Sequence, residues 1–132
     1  MKVSFDFDYT LSRKAVQKFA KELMQKGYEV HIVTRRFEDS MRYADPRFQT
    51  LRHRDMFRIC FYLNIPREHI HFTNMDDKYP FFLNNPNFLF HLDDDIEEIE
   101  MINTHTSVKG VLCNLKLNWK DELNKYLENT KY

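Results

Sequence analysis

Asp6 and Asp8 stand two positions apart in the run FDFDYTL, and Thr10 follows two positions later. Side chains alternate along a strand, so residues i and i+2 lie on one side. With a first strand read through Phe7, both carboxylates leave its carboxyl end together. Anions held that close repel, and the pairing calls for a cation, a proton or an electrophile between them. A bare Asp-x-Asp is explained equally well by a solvated loop, so the rest of the chain has to decide. A second apolar run, HIV, ends in Thr34, Arg35 and Arg36, and a polar loop, NMDDK, carries Lys78. A further apolar run, FLFHL, ends in Asp93, Asp94 and Asp95. An acid pair, a hydroxyl, a lysine and a second acid pair thus follow successive apolar runs, which chance alone explains poorly.

The elements that must position these residues alternate between strand and helix along the whole chain. That alternation predicts an α/β, Rossmann-like sandwich of three layers around a mainly parallel five-stranded sheet. Strands are expected at about 2–7, 29–33, 69–72, 88–92 and 108–113. Helices are expected at about 13–26, 51–63, 96–103 and 119–127, with a brief one opening at Pro80. Val16, Phe19, Ala20 and Leu23 recur at the spacing of one helical face, and Gly27 suits a left-handed cap. Open parallel sheets bind ligands beyond the carboxyl ends of their strands, where all the candidate residues fall. No repeat or linker interrupts the pattern, so a single domain over 1–132 is expected.

Composition excludes several functions. The chain has 132 residues, with 20 Lys plus Arg balanced by 20 Asp plus Glu, so no global charge draws it to nucleic acid or membrane. No apolar run approaches the roughly 20 residues that span a bilayer, and no signal-peptide pattern opens the chain. A soluble, cytoplasmic protein is expected. Cys60 and Cys113 lack metal-ligand spacing and read as reduced core thiols. Two glycines leave no Gly-rich phosphate loop.

The chain resembles the haloacid-dehalogenase-like superfamily, chiefly phosphohydrolases and phosphotransferases. VSFDFDYT matches its first motif, hhhDxDx[TV], and VHIVT its second, an apolar strand ending in Thr or Ser. Lys78 before YPFFL matches the third, and FLFHLDD the fourth. Tyr9 stands where Gly is common, and the intervals between motifs leave no room for a cap domain, as in a capless member. The resemblance implies a Mg²⁺-dependent phosphatase that works through an aspartyl-phosphate. Asp6 would be the nucleophile and Asp8 the general acid and base. The Asp6 carboxylate, the Asp8 carbonyl and one of Asp93 and Asp94 would hold the metal, with Asp94 favoured as the direct ligand and Asp93 as its partner. Thr34, Arg35 and Lys78 would bind the phosphoryl group.

Blander readings stand beside these. Asp95 reads as a surface residue or helix cap, His91 as a hydrogen-bonded core histidine, and Glu97, Glu98 and Glu100 as a wet helix face. His69 and His71 alternate on a strand, but no third ligand converges on them in the sequence, which favours a structural role. Arg35, Arg36, Arg42, Arg47, Arg52, Arg54 and Arg58, with Tyr43, Phe48 and His53 among them, read as a solvated face or as a surface for anions and bases. The second possibility would suit a nucleotide, a nucleic-acid end or another small phosphorylated substrate. A noncatalytic phosphate- or partner-binding protein on the same fold is the alternative function. A response-regulator receiver uses similar groups, but in a different order along the chain.

Overall fold

Five apolar runs form one all-parallel sheet in the computed structural model, which describes residues 1–38, 53–114 and 118–130. The strands are β1 (Lys2–Phe5), β2 (Glu29–Thr34), β3 (Ile70–Phe72), β4 (Phe88–Asp93) and β5 (Lys109–Leu112). Their spatial order is β3-β2-β1-β4-β5. The helices are α1 (Lys14–Gln25), α2 (Arg54–Leu63), α3 (Tyr79–Asn84), α4 (Ile96–His105) and α5 (Trp119–Thr130).

Helices cover both faces, which is why β1 and β4 read as nearly continuous apolar runs. On one face α1, α2 and α5 bring Phe19, Leu23, Met56, Cys60, Leu123 and Leu127 against Val3, Phe5, Ile32 and Phe90. On the other, Phe82 of α3 and Ile102 of α4 pack with Val33 and Phe88. A bulge in the β1–β4 pairing, where Lys2 to Ser4 spans Phe88 to His91, returns Phe88 to this second face. The arrangement is consistent with the expected three-layer Rossmann-like sandwich.

Local signals act as read at several boundaries. Gly27 takes φ 93°, and the N–H groups of Gly27 and Tyr28 donate to the carbonyls of Met24 and Leu23, closing α1. Asp95 caps α4 by accepting the Glu97 N–H at 3.0 Å. The first strand is shorter than expected and ends at Phe5. Beyond it, the N–H groups of Leu11 and Ser12 donate back to the carbonyls of Asp6 and Phe7, so the chain turns while Phe7 stays buried.

Cys60 and Cys113 are buried and unpaired, and burial raises both thiols to about 11. At pH 8 an exposed thiol near its ordinary value of about 8.5 is roughly a quarter thiolate, whereas these are about a thousandth. Alkylation of the native protein by iodoacetamide at pH 8 is therefore expected to run at least about 100-fold slower than in denaturant. A raised folded value also means that stability falls as pH climbs from about 8.5 through about 11. Rapid native labelling would contradict this packing. Among the described residues, no helix is long and apolar enough to cross a membrane.

Candidate active site

From β1 the chain builds outward through β2 to β3, then returns to place β4 on the other side of β1. The crevice between β1 and β4 is the topological switch point, where open α/β sheets bind ligands. The Asp6 N–H donates to the Leu92 carbonyl at 2.8 Å, extending the β1–β4 ladder by one step. Asp6 therefore emerges beside the end of β4. Carboxylate oxygens of Asp6, Asp93 and Asp94 lie within 4.8 Å of one another.

Lys78 fills the gap between two of these acids. Its Nζ donates to Asp6 Oδ1 at 2.8 Å and to Asp93 Oδ2 at 2.6 Å, and the residue is 1% exposed. It arrives there because Tyr79 and Pro80 open α3, with Lys78 at the capping position. Its backbone N–H donates to Glu98 Oε2 of α4 at 3.0 Å. Burial alone would lower the ammonium, but Asp6 and Asp93 hold it above the ordinary lysine range.

The two acids respond oppositely. Burial works to raise both, and it prevails at Asp6, which lies well above the usual carboxylate range despite Lys78. At Asp93 the hydrogen bond from His91 and the charge of Lys78 outweigh burial and hold the carboxyl well below that range. His91 is fully buried, with Nε2 2.8 Å from Asp93 Oδ2 and Nδ1 2.5 Å from Ser4 Oγ. A neutral ring satisfies both bonds, donating to Asp93 and accepting from Ser4, and burial keeps the imidazole below its ordinary value. The Thr10 hydroxyl lies 3.4 Å from Asp6 Oδ2 and 3.5 Å from Asp94 Oδ1, linking the buried acid to the exposed one.

Asp8 points elsewhere. It follows the strand in the turning loop, where its carboxylate takes two bonds from Arg36: Nε to Oδ2 at 3.0 Å and Nη2 to Oδ1 at 2.8 Å. The same guanidinium donates to both oxygens of Asp55 at 3.0 and 2.9 Å and lies over the Phe7 ring. Burial opposes the charge of Arg36, but Asp55 and Asp8 hold it above its ordinary range. Tyr9 is left-handed at φ 59°, a conformation that costs a Cβ-bearing residue about 1–2 kcal/mol and glycine little. Glycine is therefore the natural occupant of this position. Thr34 is buried at the end of β2, where its hydroxyl accepts the Arg36 N–H at 3.2 Å.

The structure brings Asp6, Thr10, Lys78, Asp93 and Asp94 together and sets Asp8 and Thr34 around Arg36. Arg35 is placed differently from the expected phosphate ligand. Its Nη1 donates to Glu98 at 3.1 Å and its Nη2 to the Met75 carbonyl. Arg36 has its fork filled by carboxylates, and Arg35 has both Nη atoms taken while its buried Nε is left without a partner among the described residues, so neither presents an open guanidinium fork to an anion. Arg42, Arg47 and Arg52, with Tyr43 and Phe48, lie outside the described residues.

Glu98 is the residue that sequence reading assigned wrongly. It is 3% exposed and ties Lys78 to Arg35 instead of facing water. The signal was present, since Glu98 precedes Ile99 and lies one turn before Ile102 on the inward side of α4. Burial raises its carboxyl above the ordinary value.

The donor set suits a hard divalent cation. Carboxylate oxygens from Asp6, Asp93 and Asp94 converge, and among the described residues Lys78 is the cation bonded to two of the three acids. The sequence matches no protein-family model and no curated protein.

Proposed function

We propose that this protein is a Mg²⁺-dependent phosphatase that cleaves a phosphate monoester through an aspartyl-phosphate on Asp6. The observation that carries the proposal is the environment of Asp6. It is a nearly buried carboxylate at the switch point, held by Lys78 on one oxygen and by the Thr10 hydroxyl on the other, with Asp94 opposite. The order of motifs along the chain supports the same reading, as a capless member of the haloacid-dehalogenase-like superfamily.

In this mechanism an Asp6 oxygen attacks phosphorus in line, and the bond from phosphorus to the ester oxygen breaks. Asp8 gives a proton to the departing oxygen, releasing an alcohol. Water then attacks the aspartyl-phosphate and loses a proton to Asp8, and inorganic phosphate leaves as Asp6 is regenerated. Arg36 takes up both oxygens of the Asp8 carboxylate and favours its ionised form, so Asp8 must leave this pairing to take a proton and hand it to the leaving oxygen. Lys78 fixes the plane of Asp6 and offsets charge on the phosphoryl oxygens. The Thr34 hydroxyl, set beside the Arg36 backbone, hydrogen-bonds those oxygens. Mg²⁺ held by the Asp6 carboxylate, the Asp8 carbonyl and Asp94 would supply the positive charge that lets one anion approach another. Asp93 serves as the partner acid, holding Lys78 and His91.

The test is phosphate release from sugar phosphates, nucleotides, 3′- and 5′-phosphorylated oligonucleotides and phosphopeptides, with Mg²⁺ and with EDTA. Release from at least one class, reduced at least about 100-fold by EDTA, is expected for a charge-neutralising metal. Equal release in EDTA would contradict the role given to the metal. No release from any substrate would favour a binding protein.

A further inference from the structure

Two bulky apolar side chains at the carboxyl rim of the sheet sit on backbone that suits glycine. Tyr9, in the loop after β1, has φ 59°, and Met75, in the loop after β3, has φ 69°. Asn74 beside it is also left-handed at φ 55°, and the Asp76 N–H donates to the Thr73 carbonyl at 3.0 Å. Residues 73–76 thus form a tight turn whose second central position favours glycine. The other left-handed residues with a side chain, among those described, have a local reason. Asn64 and Asn74 are of the type that tolerates the conformation, and His53 is buried with its Nε2 2.8 Å from the Phe37 carbonyl. Tyr9 and Met75 instead hold large side chains out to solvent, 69% and 46% exposed.

Strain retained with so little burial in return points to a use outside the fold. Both positions border the carboxylate site. Tyr9 lies between Asp8, whose carboxylate meets Arg36, and Thr10, whose hydroxyl lies 3.4 Å from Asp6 Oδ2. Met75 is tied to the end of β2: its N–H donates to the Arg35 carbonyl at 2.7 Å, and its own carbonyl accepts from Arg35 Nη2. Strands β1 and β3 flank β2, so the two loops rise roughly 10 Å apart on either side of Thr34. The guanidinium forks of Arg35 and Arg36 are taken up within the protein, which leaves apolar contact as the means of recognition at this rim.

We propose that Tyr9 and Met75 form the two walls of a leaving-group subsite that grips a flat ring, the base of a nucleotide or the ring of an aryl phosphate. The proposal rests on the phosphatase reading above and names its substrate class. Tyrosine offers a rigid aromatic face for stacking, and methionine a soft thioether that adapts to the edge or face of a ring. Side chains reaching inwards from loops roughly 10 Å apart close on a flat group at about 3.5–4.0 Å on each side. Glycine at either position would relax the backbone and remove a wall.

Calorimetry in Mg²⁺ tests this on the full chain carrying Asp6→Asn, which holds phosphate esters without consuming them. The probes are adenosine 5′-monophosphate, phenyl phosphate and ribose 5-phosphate, the last of which lacks a flat ring. At least one ring-bearing probe is expected to bind at least about 10-fold tighter than ribose 5-phosphate, and the tighter one tells a base from an aryl ring. Adding Tyr9→Gly or Met75→Gly should abolish that preference and leave the affinity for ribose 5-phosphate unchanged. Tyr9→Phe should keep it, as should Tyr62→Ala, which removes an exposed aromatic ring on α2. With Asp6 restored, Tyr9→Gly should melt no lower than wild type, because it relieves the left-handed backbone. Equal binding or no binding of all three probes, a preference untouched by Tyr9→Gly or Met75→Gly, equal loss in Tyr62→Ala, or a lower melting temperature of Tyr9→Gly would overturn the subsite. Phosphate release by the wild type judges the phosphatase reading separately. Ring preference without release would reject the phosphatase and keep the subsite, and release without ring preference would do the reverse.

Discussion

Asp6→Asn is expected to lower phosphate release at least about 10³-fold while leaving the fold intact, because it removes the nucleophile and with it one anionic ligand of the metal. Asn keeps the shape of the side chain, and its oxygen can still accept from Lys78 or Thr10. Burial already disfavours charge on Asp6, so a neutral amide relieves part of that cost. Lys78 retains its shorter bond, to Asp93 at 2.6 Å. Thermal melting of the variant should accordingly lie within a few degrees of wild type, which separates lost chemistry from lost structure. Undiminished release by a folded Asp6→Asn protein would reject the nucleophile assignment.

Lys78→Met is expected to be the most destabilising single change at the site. Methionine fills much of the same space, but it leaves Asp6 and Asp93 buried without their shared cation. Breaking a buried ion pair by removing one partner costs about 3–5 kcal/mol, equivalent to a fall in melting temperature on the order of 10 °C or more. The sign of its pH dependence is also fixed. Without Lys78, the burial that raises Asp6 goes unopposed by an ammonium, while the His91 hydrogen bond still favours the ionised form of Asp93. For Asp6, stability is then greatest below its unfolded value of about 4 and is lost as pH rises through the folded value. The deficit relative to wild type should therefore be smaller at pH 5 than at pH 7.5. Equal melting temperatures of variant and wild type at pH 7.5 would show that Lys78 does not neutralise these acids.

Much of this arrangement was legible because it is local or periodic. Strand–helix alternation predicts the parallel sheet, and the ends of β1 and β4 deliver Asp6, Asp93 and Asp94 to one crevice. The misreadings have physical causes. Phe7 is buried in the turn after β1, so apolar character marks burial there and not strand, and Asp8 leaves the expected row to meet Arg36. The charge of Glu98 suggested a wet face, yet Lys78 and Arg35 compensate it inside. The apparent surplus of arginine overlooked carboxylates that are distant in sequence, since Asp8, Asp55 and Glu98 meet Arg36 and Arg35 only after folding. The stacking of His31 on His69, with ring centroids 4.0 Å apart, likewise depends on strand register, which the sequence does not display. Tyr9 was visible as a departure from Gly, while its left-handed backbone gives the reason Gly suits the position.

The most direct measurement is to quench a turnover reaction in acid and map the site of phosphorylation by mass spectrometry. Asp6 is predicted to carry a single phosphoryl group in wild type with Mg²⁺, and to carry none when EDTA is present. Turnover with the phosphoryl group on another residue, or with no phosphorylated protein under conditions where the hydrolytic step is slowed, would contradict the account.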